Sequence, residues 1–204
     1  MSITKPRKLR AFISVTDKTG LHHWKLFTHA GHEIVSTGGT AKELAKLGIP
    51  STPVEEVTGF PEILDGRVKS MHPLITGAML GDTSNPKHVE QMKEHGIEPF
   101  DVVVVNLYDF KGKPGIENID VGGPTALRSA AKNGGCVTVV MDPTDYETVI
   151  NYFLLIGKVP RSIRDILAVR VFEATAAYDA AIAAWMKDRI HNGENLFVHE
   201  SLSH

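Results

Sequence analysis

Four consecutive valines, Val102 to Val105, are the most restrictive stretch of this sequence. Side chains alternate between two faces along a strand, so an unbroken β-branched run belongs in a parallel sheet covered on both sides. Parallel strands require crossover connections, and the flanking sequence supplies them. Leu9 to Val15 reads as a strand, followed by the polar turn Thr16-Asp17-Lys18-Thr19-Gly20 and a helical stretch to about Ala30, stopped by Gly31. Glu33 to Ser36 reads as a second strand. Thr37-Gly38-Gly39 then turns tightly, and Thr40 is expected to cap a helix carrying Leu44 and Leu47 up to Gly48. Asn85-Pro86 begins another helix, closed by Gly96, and Val102 to Val105 is expected to be the central strand. Gly122-Gly123-Pro124-Thr125 leads into a helix over Ala126 to Lys132, Val137 to Met141 is again a buried strand, and Asp142-Pro143 caps the helix after it. From Pro160 to about Arg189, Ile163, Leu167, Val171, Ala174, Tyr178, Ile182 and Trp185 recur every three or four residues, as on one long helix. The expected architecture is α/β: one domain over 1–190 with a helical C-terminal extension, and a polar tail over 191–204 that frays.

Charge narrows the partners. The 204 residues carry 22 basic and 24 acidic side chains, so no global positive field recruits nucleic acid, and an anionic ligand must meet a local site. One cysteine, Cys136, excludes an internal disulfide framework and fits a reducing compartment, which makes cytoplasm the expected location. No run of about 18 apolar residues stands together, so no membrane span or secretion signal is expected. The pairs His22-His23 and His29/His32 lack a carboxylate or cysteine to complete a metal set, and no metal or organic cofactor is required. The glycine-spaced dinucleotide fingerprint and the G-x-x-x-x-G-K-[ST] phosphate loop are both missing.

Open parallel sheets bind ligands beyond the carboxyl ends of their strands. Four loops expected there are rich in chemistry. Ser14, Thr16, Lys18 and Thr19 offer hydroxyls and an ammonium at the mouth of a helix. Ser36, Thr37, Gly38, Gly39 and Thr40 add hydroxyls and closely approachable backbone amides, and the two loops together form an expected phosphate site. In Asp65-Gly66-Arg67-Val68-Lys69-Ser70-Met71-His72-Pro73, Arg67 and Lys69 project to the same side of an extended segment, Arg67 as a phosphate clamp and Lys69 as a candidate acid or base. His72 either touches substrate or fixes the loop. The fourth loop combines Asn106-Leu107-Tyr108 with Asp120-Val121-Gly122-Gly123-Pro124-Thr125, whose amides are candidates to hold an oxyanion, ahead of the helix carrying Arg128 and Lys132. Cys136 reads as a small buried hydrophobe, and the Tyr178/Trp185 stripe as core or a dimer face.

The motifs SVTDKTG, STGGTAKEL, EVTGFPEILDGRVKSMHP, VVVVNLYDF, ENIDVGGPTALRSAAKN and TAAYDAAI follow one another here. In that order, from about Phe12 to Lys187, the chain resembles the IMP cyclohydrolase domain of the bifunctional enzyme that ends purine biosynthesis. The resemblance implies a methylglyoxal synthase-like three-layer α/β fold with a central, mostly parallel sheet, closure of FAICAR (formylated aminoimidazole carboxamide ribotide) to IMP with loss of water, and a homodimer. It implies that Lys69, Tyr108, Asp120 and Lys132 carry catalysis, and that the Ser14–Thr19 and Ser36–Thr40 loops, with Arg67 and Ser70, hold the nucleotide and its phosphate. Asn106, Gly122 and Gly123 join that binding set from the fourth loop. On this reading Lys132 and the amides from Gly122 to Thr125 stabilise an oxyanion, Asp120 positions the carboxamide or shuttles its proton, and Lys69 and Tyr108 relay protons. The chain departs from the family pattern at Asp109, where proline is usual, and at Gly134 and Ala174, where histidine is; Asp109 is expected to bring an unfavourable charge near the site. Family members continue into an AICAR transformylase domain, so FAICAR is expected from a separate polypeptide. The rival readings are a non-catalytic module of the same fold that senses a phosphorylated nucleotide or sugar, and methylglyoxal synthase.

Overall fold

The structure is a computed structural model that describes residues 7–66, 68 and 70–196. Its centre is a five-stranded, all-parallel sheet in the order β3-β2-β1-β4-β5. The strands are β1 (Arg10–Ser14), β2 (Glu33–Ser36), β3 (Thr52–Pro53), β4 (Val102–Val105) and β5 (Thr138–Val140). The valine run is interior, as its composition requires, with each side chain contributing about 1.5–3 kcal/mol by leaving water. The middle position nevertheless belongs to β1, not β4. After β1 the chain steps outward to β2 and β3, then returns to pair Ala11 with Val102 and Ser14 with Val105 on the other side. That reversal opens a crevice between the loops that leave β1 and β4.

Eight α-helices accompany the sheet among the described residues: α1 (Trp24–His29), α2 (Gly38–Lys46), α3 (Val54–Thr58), α4 (Pro73–Leu80), α5 (Pro86–Glu94), α6 (Gly122–Lys132), α7 (Tyr146–Ile156) and α8 (Arg161–His191). α1 packs on α7 through edge-on aromatic contacts, Trp24 with Tyr146 at 5.8 Å and Phe27 with Phe153 at 6.0 Å. α4, α6 and α8 pack together as a second group, and α6 and α8 lie on β5. α8 buries Leu167, Val171, Thr175 and Tyr178 and is continuous with the domain rather than an appendage.

Three local expectations need correction. Thr40 is not the cap of α2: Thr37 holds that place, and Thr40 sits inside the first turn with its hydroxyl on Val15, just after β1. Gly122 and Gly123 are the first residues of α6, not a turn ahead of it. His72 is the N-cap of α4, its Nδ1 accepting the Leu74 N–H at 3.2 Å, so it fixes the loop's exit. The polar tail expected from His191 begins as a turn; its part over 197–204 lies outside the described residues.

Candidate active site

A cleft of about 840 Å³ opens at the carboxyl ends of β1, β2 and β4, a volume ordinary for a small-molecule site. One wall comes from the loop after β1 and the start of α2. Ser14 Oγ and Thr37 Oγ1 are hydrogen-bonded at 2.8 Å, so the Thr37 side chain is turned away from capping its own helix. The first amides of α2 therefore lack the usual side-chain acceptor, at the end where the helix dipole favours negative charge. Glu62 stands beside this end of the helix: its Oε2 lies 3.6 Å from where a Cβ on Gly38 would stand. Thr40, fully buried, accepts the Val15 N–H at 3.0 Å and donates to the Val15 carbonyl at 3.1 Å.

Lys18 completes this wall. Its Nζ donates to Thr40 Oγ1 at 3.1 Å and to the Val15 carbonyl. An ammonium carries three N–H donors, so one remains for a ligand in the cleft that Lys18 lines. Burial pulls its pKa below the ordinary 10.5, against the opposing pull of Glu43 and Asp17. An arriving phosphate would restore the charge balance that burial penalises. Gly20, at φ 74°, lets the loop turn over Tyr146, whose ring would stand 3.1 Å from any added Cβ.

Asn106, the first residue after β4, ties the two sides of the crevice. Its Oδ1 accepts the amides of Thr16 at 2.6 Å and Asp17 at 3.1 Å, and its Nδ2 donates to the Asp17 carbonyl at 3.1 Å. Asn106 thus holds the phosphate loop in shape as well as lining the cleft. Tyr108 follows at the rim, half exposed. Asp109 turns away from the cleft and accepts the Gly112 N–H at 3.1 Å, so it closes a local turn instead of charging the site as expected from its position.

The opposite wall is built on Asp120 and the start of α6. Asp120 Oδ1 accepts the Gly123 N–H at 2.8 Å. Burial raises its pKa above the usual 3.8, and the Gly123 hydrogen bond opposes that shift without cancelling it. A carboxyl so placed exchanges protons at higher pH than an exposed one, a property suited to acid–base work. Gly123 is required here: a Cβ would stand 2.2 Å from Asp120 Oδ2. The Gly123 and Thr125 amides are occupied, by Asp120 and by the Val121 carbonyl, and Pro124 has none. Of the amides expected to meet an oxyanion, Gly122 is the one without an acceptor among the described residues, and it lines the cleft beside Ser70.

Ser14, Thr16, Lys18, Thr37, Gly39, Thr40, Ser70, Asn106, Tyr108, Asp120, Gly122 and Gly123 thus share one cleft. Gly38 stands next to it in the first turn of α2. Ser36 is buried beneath it, donating to the Ile13 carbonyl at 2.8 Å, and Thr19 points to solvent outside it with its N–H on Asp17. Lys132 is not on the cleft wall: it is exposed in the last turn of α6, three helical turns or about 15 Å of rise from Gly122. Arg67 and Lys69 lie outside the described residues. Sequence reading missed Glu117, Ile116 and Ile119 in the cleft wall, and it missed Tyr178, whose hydroxyl accepts the Asp120 N–H at 2.8 Å. The 3.6-residue period placed Tyr178 on the buried stripe but carried no signal for where its hydroxyl ends.

His32 Nδ1 accepts the Leu9 N–H at 3.3 Å, and the His22 and His23 rings face each other at 4.1 Å. Cys136 is half-buried before β5, its thiol donating to Asp82 at 3.3 Å. Among the described residues, no helix is long and apolar enough to cross a membrane.

Comparison with known proteins adds three findings. The family model described as MGS-like domain matches residues 21–125, and that described as AICARFT/IMPCHase bienzyme matches residues 130–203. The bifunctional purine biosynthesis proteins PurH of Brucella canis, Brucella abortus and Brucella melitensis are each 48% identical to this chain over 194 residues, covering 90% of it. The chain spans 36% of the length of those relatives. A crystal structure of ForH superposes with a TM-score of 0.77 at 30% identity, covering 87% of this chain and 98% of that one.

Proposed function

The chain belongs to the MGS-like domain family, with a C-terminal part that matches the AICARFT/IMPCHase bienzyme, and on that premise we propose that it is an IMP cyclohydrolase closing FAICAR to IMP. The observation that carries the reading is the pairing of two unlike walls in one cleft: an anion cradle at Ser14, Lys18, Thr37, Gly39 and Thr40, and a desolvated carboxyl at Asp120 with Tyr108 at the rim. A ribotide has that same division, a charged phosphate at one end and a polar heterocycle at the other.

In the closure, the carboxamide nitrogen attacks the formyl carbon and loses one of its two protons as the ring bond forms; the formamido nitrogen then gives up its proton and forms the C=N bond, while the former formyl oxygen, having taken up two protons in all, leaves as water. Both reacting groups sit on neighbouring ring atoms, so proximity, which can supply about 7–11 kcal/mol, is largely built into the substrate. The protein's share is to hold the formamido group toward the carboxamide, to move protons and to stabilise the tetrahedral oxyanion. Asp120 receives or returns the carboxamide proton, and Tyr108 takes part in the relay. The Gly122 amide donates to the oxyanion, a contact worth about 3–4 kcal/mol in comparable sites. In this proposal Lys69 relays protons with Tyr108, and Arg67 clamps the phosphate. Lys132 is left without a direct step, because its helix carries it away from the cleft that holds Asp120.

Two copies of the chain associate in this proposal, and FAICAR comes from an AICAR transformylase activity in the same or another polypeptide. Sedimentation and co-purification test these partners. The reaction itself is tested by incubating the purified chain with FAICAR and following purine absorbance, with IMP identified by chromatography. IMP formation is expected; binding of the ribotide without IMP would instead identify a non-catalytic sensor of phosphorylated ligands.

A further inference from the structure

Tyr178 is far from the cleft in sequence but not in space. It lies 58 positions from Asp120, on α8, and its phenol is buried between that helix and the turn ahead of α6. The hydroxyl accepts the Asp120 N–H at 2.8 Å and donates to the Asn118 carbonyl at 3.4 Å. The ring packs edge-on against Phe110 at 6.1 Å, and Phe110 packs in turn on Trp185 at 5.6 Å, so α8 also anchors the segment that follows Tyr108. The turn also holds local bonds: Asn118 N–H to the Gly115 carbonyl at 3.0 Å, Ile119 N–H to the Ile116 carbonyl at 3.1 Å, and Asn118 Nδ2 to the Lys113 carbonyl at 3.0 Å. Local bonds fix the shape of a turn, while its place against the domain needs a partner outside it.

We infer that Tyr178 is a positioning residue for Asp120: its hydroxyl fixes the Asp120 backbone from α8 while the Gly123 amide fixes the carboxylate from α6. The carboxyl then has one location relative to the anion cradle, which is what a proton transfer over hydrogen-bond distance requires. This inference rests on the cyclohydrolase reading for its kinetic consequence, and on the hydrogen bonds alone for its structural one.

Tyr178→Phe separates the two. It keeps the ring against Phe110 and deletes only the hydroxyl. Exchange of the Asp120 amide hydrogen, measured by NMR without substrate, should accelerate at least about tenfold, because its acceptor is gone. With FAICAR, kcat should fall by about ten- to a hundredfold while KM stays within about threefold, since an ångström-scale misplacement acts on the reaction step more than on binding. A fall of a few degrees in melting temperature, from the two lost hydrogen bonds, would accompany both, with the chain still folded. Unchanged Asp120 exchange, or an unchanged kcat in an active enzyme, would overturn the positioning role. A wild-type chain that makes no IMP would overturn the reaction, and Asp120 exchange would still decide the part played by Tyr178.

Discussion

Gly123→Ala should disable the site while leaving the fold intact. A Cβ at this position would stand 2.2 Å from Asp120 Oδ2 and 2.9 Å from its carboxyl carbon. Ordinary contact begins near 3.4 Å, so the carboxylate must retreat by about 1.2 Å. The neighbour that yields is a side chain rather than backbone, so the domain accommodates the methyl. Alanine in a helix is also favoured over glycine by about 0.5–1 kcal/mol, which offsets part of the lost Gly123 hydrogen bond. Melting temperature should therefore move by only a few degrees. Catalysis is far less tolerant: an ångström of misplacement costs about a hundredfold, or about 2.7 kcal/mol of transition-state stabilisation. The assay is the initial rate of IMP formation at saturating FAICAR, with Gly135→Ala as control, since its Cβ would meet nothing within 4 Å and the residue does not line the cleft. A Gly123→Ala enzyme with kcat within about threefold of wild type would refute the claim that the Asp120 carboxylate must occupy its observed place.

Other perturbations address the remaining parts of the site. Gly39→Ala adds a methyl with nothing within 4 Å, so the protein should fold normally; if a phosphate approaches the first turn of α2, KM for the ribotide rises severalfold with little change in kcat, and an unchanged KM would move the anion elsewhere. Thr40→Val leaves the buried Val15 N–H without its acceptor, a loss of about 1–3 kcal/mol that thermal melts should register as a clear fall in melting temperature. Asp120→Asn should raise the melting temperature at neutral pH. The folded state binds the Asp120 proton more tightly than the unfolded chain, so stability is fully present below the ordinary 3.8 and declines as pH rises through the raised folded pKa. The amide avoids that decline, so its advantage should shrink on acidification toward about pH 4; a gap that widens on acidification would contradict a raised pKa.

Strands and their interior character were legible because burial on two faces leaves a compositional mark, as in Val102 to Val105. Their order was not: hydrophobicity reports that a strand is covered, without naming its neighbours, and β1 took the middle place from β4. The two-residue β3 and the apolar α4 escaped notice because neither offers a clear period. Thr40 and Gly123 were misread for a related reason. Each has a local preference, for capping or for turning, that is overridden by a partner outside its own helix: Val15 for one and Asp120 for the other. The glycine and hydroxyl loops were recognisable as ligand-binding from their residue types. Lys132 shows the converse, since closeness in sequence to Asp120 becomes distance once a helix of three turns intervenes.

The position of β1 bears on the order in which the molecule can be assembled. One edge of this strand finds β2 after a short crossover, but the other waits for Val102 to Val105 to leave the ribosome. Until then a nascent chain presents an apolar, unpaired backbone edge, a template for adhesion to other chains. Slow translation before the valine run should prolong that hazard, and a fragment ending upstream of it should aggregate where the longer chain stays dispersed.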